Sequence, residues 1–170
     1  AMEGAERSTG HDGGFGGASG QRMQSVAPFS GGLVGVGGDS GSAAVWDSSD
    51  GLAWSRVPGN EAVFSDDLEL FIIDVTAGPS GIVAVGQQWD RRGAVWDLDA
   101  AAWHSPDGRT WSRSDSEGLD GPGDQQMRAV VAAGPGFVAA GYDSQDEYDA
   151  AVWFSQDGLS WTRSAGNGVL

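Results

Sequence analysis

A cluster of carboxylates late in the chain is the first group of residues that could do chemistry. Four acidic side chains flank two tyrosines in one short stretch: Asp143, Asp146, Glu147 and Asp149. Calcium prefers several oxygen ligands, so this segment could hold that ion, although its spacing is not that of an EF-hand loop. A solvated acidic loop, or one paired with arginines elsewhere, is the simpler interpretation, and calcium is kept as an alternative.

A second candidate site combines aromatic and basic side chains. The stretch from Gln87 to Asp99 contains two tryptophans and two arginines: Trp89, Arg91, Arg92 and Trp96. Tryptophan can stack on a sugar ring or a cation, and guanidinium groups bind carboxylates. Together with Tyr142 and Tyr148, these residues are therefore the candidate ligand-binding residues. The alternative is a hairpin extension whose tryptophans pack against a neighbouring sheet or a second chain.

Residues suited to catalysis are sparse. There are two histidines and no cysteine; His11 lies in a Gly-rich segment and His104 within a repeated hairpin motif. The sequence shows no Ser-His-Asp combination and no histidine-rich metal pattern. A glycosidase carboxylate pair stays open in so acidic a chain. We therefore predict no catalytic residues, no cofactor and no enzymatic activity.

The overall charge narrows the classes of partner. The formal net charge is −15 and the isoelectric point is about 4.1. Nucleic-acid binding needs a basic surface, and anionic membranes attract basic segments, so neither partner is expected. Membrane insertion is not expected either, because no run approaches the roughly 18 apolar residues of a span.

Three copies of the motif W-x-S-x-D-G-x-x-W indicate how the chain is built. Upstream of each copy lies a short apolar run that ends in glycine: GLVGVG, GIVAVG or GFVAAG. Four short turn-bounded strands, here called a to d, recur in each copy, and this pattern is typical of propeller blades. We predict an all-β protein with three four-stranded antiparallel blades, at about 22–57, 71–114 and 126–165.

The repeated motif has a structural interpretation. Its glycine can take positive φ in a tight c–d hairpin, and its aspartate and serine can accept hydrogen bonds from turn amides. Its tryptophans are expected to pack within and between blades. The motif residues are Ser48, Asp50, Gly51 and Trp54; Ser105, Asp107, Gly108 and Trp111; and Ser155, Asp157, Gly158 and Trp161.

The S-x-D-G-x-x-W core resembles the Asp-box, or BNR, repeat of sialidases and related exported β-propellers. It is one residue shorter than the usual S-x-D-x-G-x-T-W, and the whole repeat is similar to uncharacterised actinobacterial repeat proteins. The resemblance implies that the box is a folding element opposite the ligand-binding face, and that the protein is extracellular or associated with the cell envelope. Sialidase chemistry would need an arginine triad, whereas Arg56, Arg113 and Arg163 recur at one position and are interpreted as structural.

Three blades are fewer than the 4–8 that close a propeller, so two sheet edges would stay open. Segment 16–23 resembles the second half of the linker 114–127, and segment 164–170 resembles the start of 57–64. We therefore expect a homodimer that completes a six-bladed ring, with a piece of a longer array as the alternative.

The predicted organisation is a Gly-rich leader or tag remnant without fixed structure at 1–15, followed by the three-blade unit at 16–170. The b–c loops differ most between copies, and variable loops on a constant frame usually carry recognition. This favours a non-catalytic recognition or scaffold module that assembles itself and binds a glycan or protein through its b–c and d–a loops. A carbohydrate-binding lectin is the alternative, and a sialidase-like glycoside hydrolase is the second.

Overall fold

The structure, a computed structural model, describes residues 20–58, 61–64, 69–92, 95–144 and 147–164. The described strands form three four-stranded antiparallel sheets, each with its strands in chain order. The predicted all-β class and the three four-stranded units are therefore confirmed. The proposed leader at 1–15 lies outside the described residues.

Sheet 1 consists of β1 (Gln21–Phe29), β2 (Gly32–Asp39), β3 (Ser42–Ser48) and β4 (Ser55–Arg56). Sheet 2 consists of β5 (Glu69–Gly78), β6 (Gly81–Arg92), β7 (Val95–Ser105) and β8 (Ser112–Arg113). Sheet 3 consists of β9 (Asp124–Ala133), β10 (Gly136–Ser144), β11 (Tyr148–Ser155) and β12 (Thr162–Arg163). The linkers between sheets contain α1 (Glu61–Phe64) and a turn of 3-10 helix (Glu117–Leu119).

The hairpins between the second and third strands are longer than the sequence predicted. The segment from Gln87 to Asp99, expected as a loop, pairs as strands out to Arg92 and Val95. Likewise β10 and β11 pair out to Ser144 and Tyr148, inside the expected acidic loop. Large side chains directly opposite one another, such as Trp89 and Leu98, favour continued pairing. The hairpin extension given as the alternative is therefore the observed backbone.

Each first strand contains an irregularity of register at the same place, and the glycine that ends the apolar run lies opposite it. A Cβ on that glycine would overlap a carbonyl oxygen of the first strand: Gly37 with Arg22, Gly86 with Phe71, and Gly141 with Gln126. Glycine in a strand often marks such a bulge or close backbone approach. All three apolar runs therefore end in glycine.

The sheets stack face to face in chain order. Strand β5 contacts β1, β2 and β3, and β9 contacts β5, β6 and β7. One apolar core lies between sheets 1 and 2, and a second lies between sheets 2 and 3. We call the side of a sheet that points toward the next sheet its forward face, and the opposite side its rear face.

The linkers close the outer edges of these two cores. Trp103 and Trp153 are fully buried, and their indole N–H groups donate to the carbonyl oxygens of Val63 (2.8 Å) and Gly118 (2.9 Å). Buried tryptophan needs such an acceptor for its single donor. The repeated tryptophan therefore ties each linker to the sheet that adjoins it.

The first strands of the three sheets meet through one carboxylate. Asp74 accepts a hydrogen bond from Ser25 Oγ (2.6 Å) in sheet 1 and another from the backbone N–H of Val130 (2.8 Å) in sheet 3. Asp74 lies at the register irregularity of β5, so the bulge presents its side chain to both neighbours.

Candidate functional site

The three repeated turns are closed hydrogen-bond units. In the second, Ser105 Oγ accepts from the Gly108 N–H at 2.8 Å, and Asp107 Oδ1 accepts from the N–H groups of Arg109 (2.8 Å) and Thr110 (2.6 Å). The indole N–H of Trp111 donates to Gly108 O at 3.1 Å. The box oxygens are therefore engaged by their own turn.

The other two turns repeat this arrangement. Gly51 and Gly158 donate to their box serines at 2.9 and 2.8 Å. The box glycines have φ values of 78°, 78° and 82°, in the left-handed region that glycine tolerates. The arrangement explains the spacing of the motif, because each residue type supplies one part of the turn.

The turn amides also set the ionisation of the box aspartates. The backbone N–H of Thr110 lowers the pKa of Asp107 to about 2, and that of Ser160 does the same for Asp157. The N–H of Ala53 lowers the pKa of Asp50. Hydrogen bonds to a carboxylate favour its charged form. These groups are held as anions and are poorly suited to act as general acids near neutral pH.

Each box of sheets 2 and 3 also lies against the preceding sheet. A Cβ at Gly108 would meet the Phe29 ring, and a Cβ at Gly158 would meet Val83 and His104. Arg109 donates to Asp47 Oδ2 from Nη2 (2.8 Å) and Nε (3.1 Å). The boxes therefore join neighbouring sheets at the end opposite the b–c hairpins.

The three equivalent arginines occupy equivalent places near the b–c end. Arg56 lies 3.9 Å from Asp39 and stacks over Trp46, Arg113 donates to Gln88 Oε1, and Arg163 forms an ion pair with Asp143. Each therefore ties the short fourth strand to the second strand of its own sheet. This arrangement gives no support to a sialidase-like arginine triad.

The candidate aromatic residues fall into two groups on two different sheets. Trp89 is half-buried and Trp96 is exposed, and strand alternation places both on the forward face of sheet 2. Tyr142 and Tyr148 contact each other edge to face, with ring centroids 5.1 Å apart, on the forward face of sheet 3. The guanidinium of Arg128 lies 5.4 Å from the Tyr142 ring centroid.

Some of the predicted arginine and acidic side chains lie outside the described part of the chain. The side chains of Arg91 and Arg92 and all of Asp146 lie outside the described residues. Asp143 is buried and paired with Arg163, whereas Glu147 and Asp149 are exposed. Among the described residues, no group of three or more potential ligands could hold a metal ion.

A cleft of about 330 Å³ opens between sheets 1 and 2 at their b–c end. Its lining includes Arg22, Gln24, Ser42 and Phe71. The position taken by Gly38 in sheet 1 is occupied by Gln87 in sheet 2 and by Tyr142 in sheet 3, as strand pairing shows. The small residue leaves room that larger side chains occupy in the other sheets. Sequence comparison of the three copies could have found this cleft.

The two outer faces of the stack are apolar and partly exposed. On the forward face of sheet 3, Val131, Val152 and Phe154 are 57, 42 and 41% exposed. On the rear face of sheet 1, Val26 is 46% exposed. Large exposed apolar patches on soluble proteins usually mark interaction sites. The three-blade prediction implies two such open faces, and the strand alternation of the three copies contains the residues that form them.

No protein-family model matches the chain, and no curated protein is significantly similar to it. Within the part of the chain that the structure describes, no helix is long and apolar enough to span a bilayer. Function must therefore be argued from the geometry.

Proposed function

We propose that the chain is a non-catalytic β-propeller module, and that two copies close into a ring of six sheets. In this ring, the forward face of sheet 3 in each copy packs on the rear face of sheet 1 in the other. The observation that supports this most directly is that the two open faces correspond to the two halves of an interface that already occurs twice within the chain.

The correspondence holds position by position on the rear faces. In sheets 2 and 3, Val75 and Val130 are about 5% exposed because the preceding sheet covers them. Strand register places Val26 at the same position in sheet 1. The residues of sheet 1 that match buried rear-face residues of sheets 2 and 3 are Met23, Val26, Leu33 and Trp54.

The forward faces match in the same way. Val34 and Val83, on sheets 1 and 2, are fully buried by the following sheet, and Val138 is their equivalent on sheet 3. The rear face of sheet 1 in a second copy would therefore cover sheet 3 in the way that the rear face of sheet 3 covers sheet 2.

Two-fold symmetry closes this arrangement. A pair of copies forms two identical junctions, so no sheet face is left without a neighbour. Six sheets fall within the 4–8 blades of known propellers. The chain's charge of −15 opposes association at low salt, so assembly should strengthen as salt screens it.

The proposed recognition surface is the b–c and d–a end of the ring. The boxes at the opposite end satisfy their own polar groups, whereas the b–c end carries the cleft and the differing hairpins. Ligand or partner is therefore proposed to bind there, with a protein or glycan as the class. A lectin is the second candidate, because Phe71 and Arg22 give the cleft an apolar wall and a cationic donor.

The ring is tested by particle mass. Light scattering coupled to size exclusion should give twice the chain mass of 17.5 kDa. Val152→Asp places a charge on the forward face of sheet 3 and should give a monomer. Ser112→Asp adds the same charge on the exposed edge of sheet 2, and should stay dimeric. A monomeric wild-type chain would refute the ring.

The lectin candidate is tested by titration calorimetry with a panel of neutral and acidic oligosaccharides. If the cleft binds, Arg22→Ala should weaken acidic ligands most, while Trp89→Ala should have little effect. The opposite order would move the site to the hairpin of sheet 2. No heat from any ligand would leave protein partners as the proposed class.

A further inference from the structure

The box turns of sheets 2 and 3 each contact the third strand of the preceding sheet. The residue after the box glycine of sheet 2 is Arg109, and its guanidinium binds Asp47 on the third strand of sheet 1. The box glycine of sheet 3, Gly158, lies on His104 of sheet 2. A box-to-third-strand contact is therefore a feature of both internal junctions.

Strand register shows that the two contacted residues are equivalent. Asp47 pairs with Val34 in sheet 1, and His104 pairs with Val83 in sheet 2. In sheet 3 the residue opposite the equivalent Val138 is Phe154. In the box of sheet 1, the residue after the glycine is Leu52. The third junction would therefore bring Leu52 and Phe154 together.

Both residues are apolar and exposed in the single chain. Leu52 is 89% exposed and Phe154 is 41% exposed. The same two positions hold an arginine and an aspartate at the junction between sheets 1 and 2, where they form an ion pair. At the junction between sheets 1 and 2 this pair is therefore charged on both sides, whereas at the third junction it would be apolar on both sides.

From this correspondence we infer that Leu52 of one copy packs on Phe154 of a second copy, once in each junction of the ring. The inference rests on the proposed ring and adds its contact residues and its register. The pair also disfavours docking of the sheet 1 box on sheet 1 of another copy, because Leu52 would leave Asp47 without the arginine that pairs with it inside the chain. Leu52 and Phe154 are therefore specificity-determining residues for self-association.

A double-mutant cycle tests the pairing. Leu52→Arg and Phe154→Asp each place one unpaired charge in the junction, and the double variant recreates the pair seen between Arg109 and Asp47. Each single variant should raise the dimer dissociation constant by about tenfold or more, and the double variant should recover most of that loss. Sedimentation equilibrium over a concentration series measures all four constants, and circular dichroism checks that each variant is folded.

A second measurement uses the absence of cysteine from the chain. The variant with both Leu52→Cys and Phe154→Cys should form a covalent dimer on mild oxidation. A variant with Leu52→Cys and Ser112→Cys, also exposed, should not.

The outcomes separate the pairing from the ring. Suppose that the wild type is dimeric, that the double charge variant loses as much dimer affinity as the two single variants combined, and that the paired cysteines do not cross-link. That result would overturn the pairing and leave the ring standing. A wild type that stays monomeric at every concentration would overturn both.

Discussion

The forward faces of sheets 2 and 3 have the same design and opposite surroundings. Ala102 of sheet 2 is fully buried beneath sheet 3, whereas its equivalent in sheet 3, Val152, is 42% exposed. Both faces are built from valine and alanine on alternate strand positions. The difference therefore comes from position in the stack and not from composition: among the described residues, no further sheet lies over the forward face of sheet 3.

The rear faces of sheets 1 and 2 show the same difference in exposure at the other end of the stack. Val75 of sheet 2 is 5% exposed, and its equivalent Val26 of sheet 1 is 46% exposed. A chain that repeats one interface ends with two unmatched halves of it. In the proposed ring, a second copy would cover both halves at once.

The largest expected effect contrasts the covered and uncovered versions of one position. Val45 and Val152 are equivalent third-strand residues, 0 and 42% exposed. Val45→Asp buries an unpaired carboxylate between sheets 1 and 2 and should cost more than about 4 kcal/mol of unfolding free energy. Val152→Asp should leave the chain folded and abolish the dimer. Urea unfolding and light scattering measure the two effects.

Equal losses of folding at both positions would contradict this contrast. That result would mean that the chain cannot fold without its second copy, as in obligate dimers. Unfolding midpoints that rise with protein concentration would identify that case.

The next effect concerns the bulge in the first strand, a feature that all three sheets share. Gly37→Ala would push a methyl group into the carbonyl oxygen of Arg22, whereas a Cβ at neighbouring Gly38 has only an ordinary contact, 3.5 Å from Ser42 O. Gly37→Ala should lower the unfolding free energy by about 3 kcal/mol, and Gly38→Ala should leave it within about 0.5 kcal/mol. Thermal unfolding monitored by circular dichroism compares them. Equal melting temperatures would show that the bulge is not a tight fit.

The three-fold repetition explains how much of the fold could be predicted from the sequence. Glycines, tryptophans and S-x-D-G turns recur because each sheet needs the same bulge, the same linker contact and the same hairpin. The paired extension beyond Gln87 could not be predicted as firmly, since it occurs at full length in one copy. Contacts that depend on one junction, such as Arg109 with Asp47, leave no repeated signal in the sequence.

The candidate ligand residues illustrate the same limit. Trp89 and Tyr142 both belong to b–c hairpins, and sequence reasoning grouped them as one binding set. The structure places them on the forward faces of two different sheets. Trp89 faces the next sheet and Tyr142 lies on the open face. This difference depends only on the order in which the sheets stack, which is a long-range property.

A smaller effect tests whether the boxes stabilise the turns as their geometry indicates. Ser105→Ala removes the acceptor for the Gly108 N–H in a buried turn and should cost about 1–2 kcal/mol. Ser49→Ala changes an exposed serine in a box turn and should have no measurable effect. Ser48→Ala, in the box at the open end, should resemble Ser105→Ala. Chemical denaturation of the three variants, carried out on the Val152→Asp background, measures folding apart from association.

The smallest expected effect is the dependence of the unfolding free energy on pH in the acidic range. The pKa of Asp107 and that of Asp157 are about 2 in the folded chain, below the ordinary value of 3.8. A lowered carboxyl pKa contributes stability that is present above pH 4 and is lost as the pH falls toward 2. Asp107→Asn keeps an oxygen acceptor but removes the charge, so wild type and variant should differ most at neutral pH and converge near pH 2.

Asp50→Asn should behave with the same sign, because the amides of its own turn lower the pKa of Asp50 as well. The difference between each variant and wild type, from urea unfolding at a series of pH values, separates this effect from the general relief of charge repulsion on acidification. A wild-type advantage that stays constant from pH 7 to pH 2 would mean that the turn amides do not favour the ionised aspartate. Matching profiles for Asp50 and Asp107 would show that the box of the open end is already complete, so that the ends of the chain differ from its interior in their faces and not in their turns.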